Sequence, residues 1–120
     1  MKISEVAART QLSIDTIRYY ERSGLCPPIE RDLGGRRDFS AVDLDWFTLL
    51  SALRETGMPT RQMRRFAQLY QHGDETIAER RKLLEQHANR LEEQQMKLEK
   101  CHQLLAKKLA LYDRISGVGK

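Results

Sequence analysis

The sequence predicts a mostly α-helical protein in two parts, a compact N-terminal head and one long C-terminal helix that pairs as a coiled coil. Three observations carry this. Two short capped helices with a tight break between them open the chain. A Gly34-Gly35 turn flanked by charged residues interrupts the helical pattern. From Thr76 to about Ile115 neither Pro nor Gly occurs, while Ile77, Leu84, Leu91, Leu98, Leu105 and Tyr112 recur every seven residues.

Composition agrees with long exposed helices: 40% of the 120 residues are apolar and 32% charged. The net charge of +4 leans only weakly towards a nucleic-acid partner. Residues 1–72 carry 11 basic and 9 acidic side chains and residues 73–120 carry 10 and 8, so the placement of charge matters more than its sum. Cys26 and Cys101 form no CxxC pair, which argues against a disulfide framework and a zinc finger. A reducing cytoplasm is the expected compartment. The N-terminus has no apolar run of signal-peptide length, and no stretch approaches the ~18 apolar residues of a membrane span.

Ser4 is placed to cap a helix to about Thr10, with Ile3, Val6 and Ala7 facing inward. A break follows at Gln11-Leu12. Ser13 caps a second helix to about Ser23, and Asp15 favours its first turn. Leu12, Ile17 and Tyr20 can pack on the first helix, and Gly24 ends the second. Pro27 and Pro28 deny helix to the next stretch. Residues 31–39 then read as a β-hairpin with Gly34-Gly35 as its two-residue turn. Two helices with a tight turn followed by such a hairpin make a winged helix-turn-helix head.

Ser40 to Asp43 is a capping box. The helix it opens carries Val42, Leu44, Trp46, Phe47, Leu50 and Leu53, spread widely enough for a buried central helix. Gly57 ends it and Pro59 helps start another, with Met63, Phe66, Ala67 and Tyr70 as its apolar stripe. Gly73 breaks the pattern. The expected organisation is a head over residues 1–73, a coiled-coil dimerisation helix over 74–115, and a flexible tail over 116–120. Such a helix, ~60 Å long at 1.5 Å per residue, cannot bury its stripe alone. The seam is therefore assigned to Ile77, Leu84, Leu91, Leu98, Cys101, Leu105 and Tyr112, with a homodimer implied.

The runs Ile3-Ser4-Glu5-Val6-Ala7, Leu12 to Glu21 with Arg18-Tyr19-Tyr20-Glu21 at its end, and Gly24-Leu25 resemble the N-terminal signature of the MerR family of transcription regulators. Arg31, the Gly34-Gly35 turn, Arg37-Asp38-Phe39 and Leu53-Arg54-Glu55-Thr56-Gly57-Met58 continue the resemblance over nearly the whole chain. Residues 70–115 look closest to the branch of aldehyde- and nitrosative-stress regulators of the NmlR/AdhR kind. That branch typically carries a cysteine in the central helix; the matching position here is Ala52. Metal-sensing members carry cysteines at the start of the dimerisation helix and after it; Asp74-Glu75-Thr76 and SGVGK stand there instead, so no metal site is expected. No cofactor is expected either.

The resemblance implies a homodimer, its coil over 74–115 antiparallel, on the over-long spacer of a promoter, distorting double-stranded DNA so that RNA polymerase engages both promoter elements. Arg18 would donate two bonds to a guanine from the major groove. Ser13, Ile14, Thr16, Tyr19 and Tyr20 are the other candidates on that helix. Tyr19 and Tyr20 lie ~100° apart, so one packs inward; Tyr20 is assigned the phosphate contact. Arg36 and Arg37 would meet the backbone from the hairpin, Arg37 the surer of the two, and Arg61 from a second wing after Pro59. His87 and His102 lack ligand-spaced neighbours, and no catalytic constellation stands out, so an enzyme is not expected. The residues leave two other readings open, an architectural or excision-type DNA-binding protein with a similar head, or a coiled-coil adaptor.

Overall fold

A computed structural model of the protein describes residues 1–117. The described residues form five α-helices: α1 Ile3–Thr10, α2 Ile14–Arg22, α3 Ala41–Glu55, α4 Thr60–Gln71 and α5 Ile77–Ser116, with a 3-10 turn at Asp74–Thr76. The chain divides into two compact units, Met1–Leu84 and Glu85–Lys120. Of the tail expected over 116–120, Ser116 is the last residue of α5, and residues 118–120 lie outside the described residues.

The start of α1 differs from expectation. Lys2 occupies the cap position without a side-chain bond, and Ser4 lies inside the first turn. The reason is tertiary. The Met1 ammonium donates to the Phe39 carbonyl at 2.7 Å, and the Phe39 amide donates back to the Met1 carbonyl at 2.9 Å. This pairing delivers an extended Lys2 straight into the helix. Val6 is buried, with Ile3 and Ala7 packed beside it. Gln11, left-handed at φ 62°, makes the break, and the Thr10 hydroxyl accepts the Leu12 amide. Ser13 caps α2 by accepting the Thr16 amide at 3.0 Å. Gly24 supplies the positive φ that turns the chain away.

The hairpin expectation is met only in part. No strand forms among the described residues; one isolated antiparallel bridge joins Arg31 and Arg37. Two backbone bonds bracket it, Asp32 N to Arg36 O and Asp38 N to Glu30 O, each 2.8 Å. Beyond them Phe39 turns its amide to Met1, which stops the ladder. The turn is also one residue longer than read. Gly35 alone has positive φ, and Leu33-Gly34-Gly35 form a three-residue loop. The Asp32 carboxylate selects it by accepting the Gly34 and Arg36 amides at 2.9 and 3.0 Å.

Helix α3 opens with the reciprocal Ser40–Asp43 capping box. Phe47, Leu50 and Leu53 are buried in the head, whereas Val42, expected inside, is 64% exposed in the first turn. Two polar ties position α3: the Trp46 indole donates to the Leu25 carbonyl at 2.9 Å and the Ser51 hydroxyl to the Thr10 carbonyl at 3.1 Å. Helix α4 buries Met63, Phe66 and Ala67, and also Leu69. Tyr70 is half-covered instead, its ring 4.8 Å from Trp46 and capped by the Arg80 guanidinium at 5.3 Å. The buried Thr76 hydroxyl donates to the Leu69 carbonyl, tying the start of α5 to the end of α4. Leu84, placed on the seven-residue stripe, packs with Leu83 against the head's core. In the second unit Met96, Leu98, Leu105, Leu109, Tyr112 and Ile115 are all exposed. No helix among the described residues is long and apolar enough to cross a membrane.

Candidate nucleic-acid interface

Helix α2 buries Ile17 and Tyr20, which turns Asp15, Arg18, Tyr19 and Arg22 to solvent. Arg18 is exposed, and its nearest acid is Asp15 at 4.0 Å. An exposed pair at that distance contributes little, so the guanidinium is free to turn to a ligand. The tyrosines divide the other way round from expectation. Tyr19 is 47% exposed and Tyr20 only 4%, because Tyr20 shares the inward side with Ile17 while Tyr19 lies one step round the helix. Ser13 and Thr16 are occupied with each other: the Ser13 hydroxyl accepts the Thr16 amide and donates to its hydroxyl at 2.8 Å. Ile14 is half-buried at the start of the helix.

On one side of α2, Arg18 lines a cleft together with Lys2, Arg31, Arg36 and Arg37. No acidic side chain lines it, so five cationic residues converge where the 31–37 loop meets the first two helices. Their states differ. Arg37 is held by the Glu21 carboxylate in a close ion pair, with both side chains mostly covered, at 22% and 18% exposure. Arg31 also approaches Glu21, at 3.8 Å, and donates to the Gly35 carbonyl at 3.0 Å. Arg36 is exposed, and its guanidinium has no partner among the described residues. The surer backbone candidate by sequence, Arg37, is thus the committed one, and Arg36 is the available one.

On the other side of α2, a second cleft is lined by Thr16, Tyr19, Tyr20 and Thr60 with one cation, Arg54, and one acid, Asp15. The N-terminus of α4 opens beside it with no side-chain cap; Gln62 and Met63 donate to the Pro59 carbonyl, which leaves the Thr60 and Arg61 amides without an acceptor among the described residues. Arg61 is exposed in that first turn, with no partner among the described residues. The neighbouring arginines are committed: Arg64 donates to the Ser23 carbonyl at 3.4 Å and Arg65 pairs with Glu79 at 3.2 Å. Arg31, Arg54, Thr60 and Lys2 were not legible as site residues. Each stands alone in sequence, and only folding gathers them round α2.

The thiols are not part of this face. Cys26 is buried, and burial first, then the negative Glu21 and Asp43, pushes its thiol up to about 12. Cys101 is exposed on α5. Among the described residues no group of three or more His, Cys, Asp or Glu is placed to hold a metal ion.

A short helix-turn-helix that presents its second helix beside a cleft lined by five cationic side chains is the working surface of a DNA-binding protein. Residues 1–69 match the family described as MerR HTH family regulatory protein, and residues 44–108 the one described as MerR, DNA binding. The chain belongs to the MerR family of transcription regulators. It is 36% identical to an uncharacterized HTH-type transcriptional regulator of Haemophilus influenzae, over 97% of this chain and 86% of the relative. It is 34% identical to the regulator AdhR of Bacillus subtilis, over 76% of this chain and 65% of AdhR. Among solved structures it resembles HiNmlR, a MerR family regulator lacking the sensor domain, bound to promoter DNA. The TM-score is 0.85 at 35% identity, over 99% of this chain and 94% of HiNmlR. A MerR family regulator from Listeria monocytogenes gives 0.85 at 33% identity, over 94% and 86% of the two chains.

Proposed function

We propose that the chain is a cytoplasmic homodimer that binds double-stranded promoter DNA and regulates transcription by distorting the spacer between promoter elements. Helix α2 enters the major groove with Arg18 reading a base edge and Tyr19 beside it. The 31–37 loop acts as a small hairpin wing whose Arg36 meets the backbone. The α3–α4 corner acts as a second wing through Arg54, Thr60 and Arg61. Helix α5 supplies the antiparallel dimer coil through Leu91, Leu98, Leu105 and Tyr112. The two heads then address successive grooves, and phosphate contacts offset the cost of bending the DNA. RNA polymerase responds to the altered DNA.

The observation that carries this reading is the exposed, weakly paired Arg18, which lines a cleft with four further cationic side chains and no acid. The likeness to a promoter-bound relative supports it. The test is footprinting on the DNA upstream of the protein's own gene, with permanganate detection of strand opening when polymerase is added. Protection of a palindromic spacer with altered opening is expected. Protection of a repeated array with no effect on opening would make the protein architectural instead.

A further inference from the structure

Glu21 is an acid on the helix that faces DNA, where a negative charge opposes phosphate. Its surroundings give it a purpose. Its two carboxylate oxygens each face one arginine, Arg37 in a close pair and Arg31 at 3.8 Å. Those two arginines are the partners of the single bridge that closes the 31–37 loop. Only two backbone bonds bracket that bridge, so the loop has little sheet structure of its own to set its angle against α2. Arg31 carries the tie onward to the loop tip through the Gly35 carbonyl.

We propose that Glu21 is a positioning residue for DNA recognition: by holding Arg31 and Arg37 to α2 it sets the loop so that Arg36 and Arg18 engage one site together. This deepens the reading of α2 and the loop as the DNA-binding surface and rests on it. Charged, partly covered hydrogen bonds of this kind are among the stronger ones, and a loop ordered beforehand loses less entropy on binding. The cost is one negative charge near phosphate, so positioning and plain electrostatics predict opposite signs for its removal.

The experiment compares the full-length wild type with Glu21→Gln on the footprinted operator duplex and on a random duplex of equal length. Glu21→Gln should lose about tenfold on the operator, the size of one charge-assisted contact, while affinity for the random duplex holds or rises. Retained random-duplex binding reports folded protein. Glu21→Asp, which keeps the charge, should recover operator preference relative to Gln. In an Arg31→Gln, Arg37→Gln background, Glu21→Gln should cause no further operator-specific loss. Equal gains on both duplexes would reduce Glu21 to a simple repulsive charge and overturn the proposal. So would equal losses on both, no recovery with Asp, or a full further loss without the two arginines. A wild type with no operator preference would instead sink the DNA-binding reading beneath it.

Discussion

Arg18, Arg36 and Arg37 are three arginines in three states, and their substitutions should read differently. Arg18 is free to reach a base edge, so Arg18→Ala should cost roughly 1–3 kcal/mol on the operator and much less on random DNA. Fluorescence anisotropy on the two duplexes checks this; equal losses would move Arg18 to a phosphate. Arg36 is exposed and unpaired among the described residues, so Arg36→Ala should weaken both duplexes and lower the salt slope by about one. An unchanged slope would take Arg36 out of the backbone contacts. Cys26 offers a pH test. Its thiol is raised from 9.0 to about 12 by burial and by Glu21 and Asp43. The unfolded chain therefore releases this proton first, and the contribution to stability is intact below pH 9 and lost between pH 9 and 12. Cys26→Ala should flatten the wild type's stability loss over that window in denaturant titrations; parallel pH profiles would contradict the burial argument. At neutral pH Cys26 should resist alkylating reagents until the protein unfolds.

At the scale of elements, the caps at Ser13 and Ser40 were readable, though not the start of α1 that Ser4 suggested, because a helix start needs few residues. Ser13 and Ser40 each accept an amide three residues on, as their spacing demands. Ser40→Ala breaks a reciprocal pair and should cost about 1 kcal/mol in urea unfolding, with no change in operator preference. A loss below a few tenths would mean that the packing of Trp46 and Phe47 alone places α3. The hairpin was harder to read. Two adjacent glycines suggest a two-residue turn, but the Asp32 carboxylate captured the Gly34 and Arg36 amides and drew Leu33 into the loop. Side-chain competition of that sort is decided by a single hydrogen-bonding residue rather than by the glycine pair.

At the scale of the whole molecule, the exposed side chains of the second unit bear on assembly. Leu98 and Leu105 stand more than half exposed, so Leu98→Lys removes nothing from the fold of a single chain. It should dissociate the dimer in light scattering and lower operator affinity, because one head makes too few contacts. A variant that remains dimeric would place the dimer elsewhere. The proposed antiparallel arrangement adds a geometric check. Helices crossing near residues 94–95 put the two Cys101 residues ~18–20 Å apart along the rod, at 1.5 Å per residue. A disulfide needs Cα atoms within ~7 Å. Mild oxidant should therefore yield no Cys101–Cys101 cross-link on a non-reducing gel; rapid cross-linking would indicate a parallel or shifted coil.

By itself the sequence determined the helices, their breaks and the stripe on α5, because caps, glycines and three- or seven-residue periodicities act over one or two turns. It also placed Arg18 on the outward face of α2, since burying Ile17 leaves position 18 outside. The three-residue spacing from Ile17 likewise turns Tyr20 inward and Tyr19 out, whereas tertiary structure sent Leu84 to the head's core. Tertiary structure also committed Arg37 to Glu21 while leaving Arg36 free. Those outcomes depend on partners 16 or more residues away, and the energy of an ion pair or a buried side chain lies in the partner as much as in the residue that carries it.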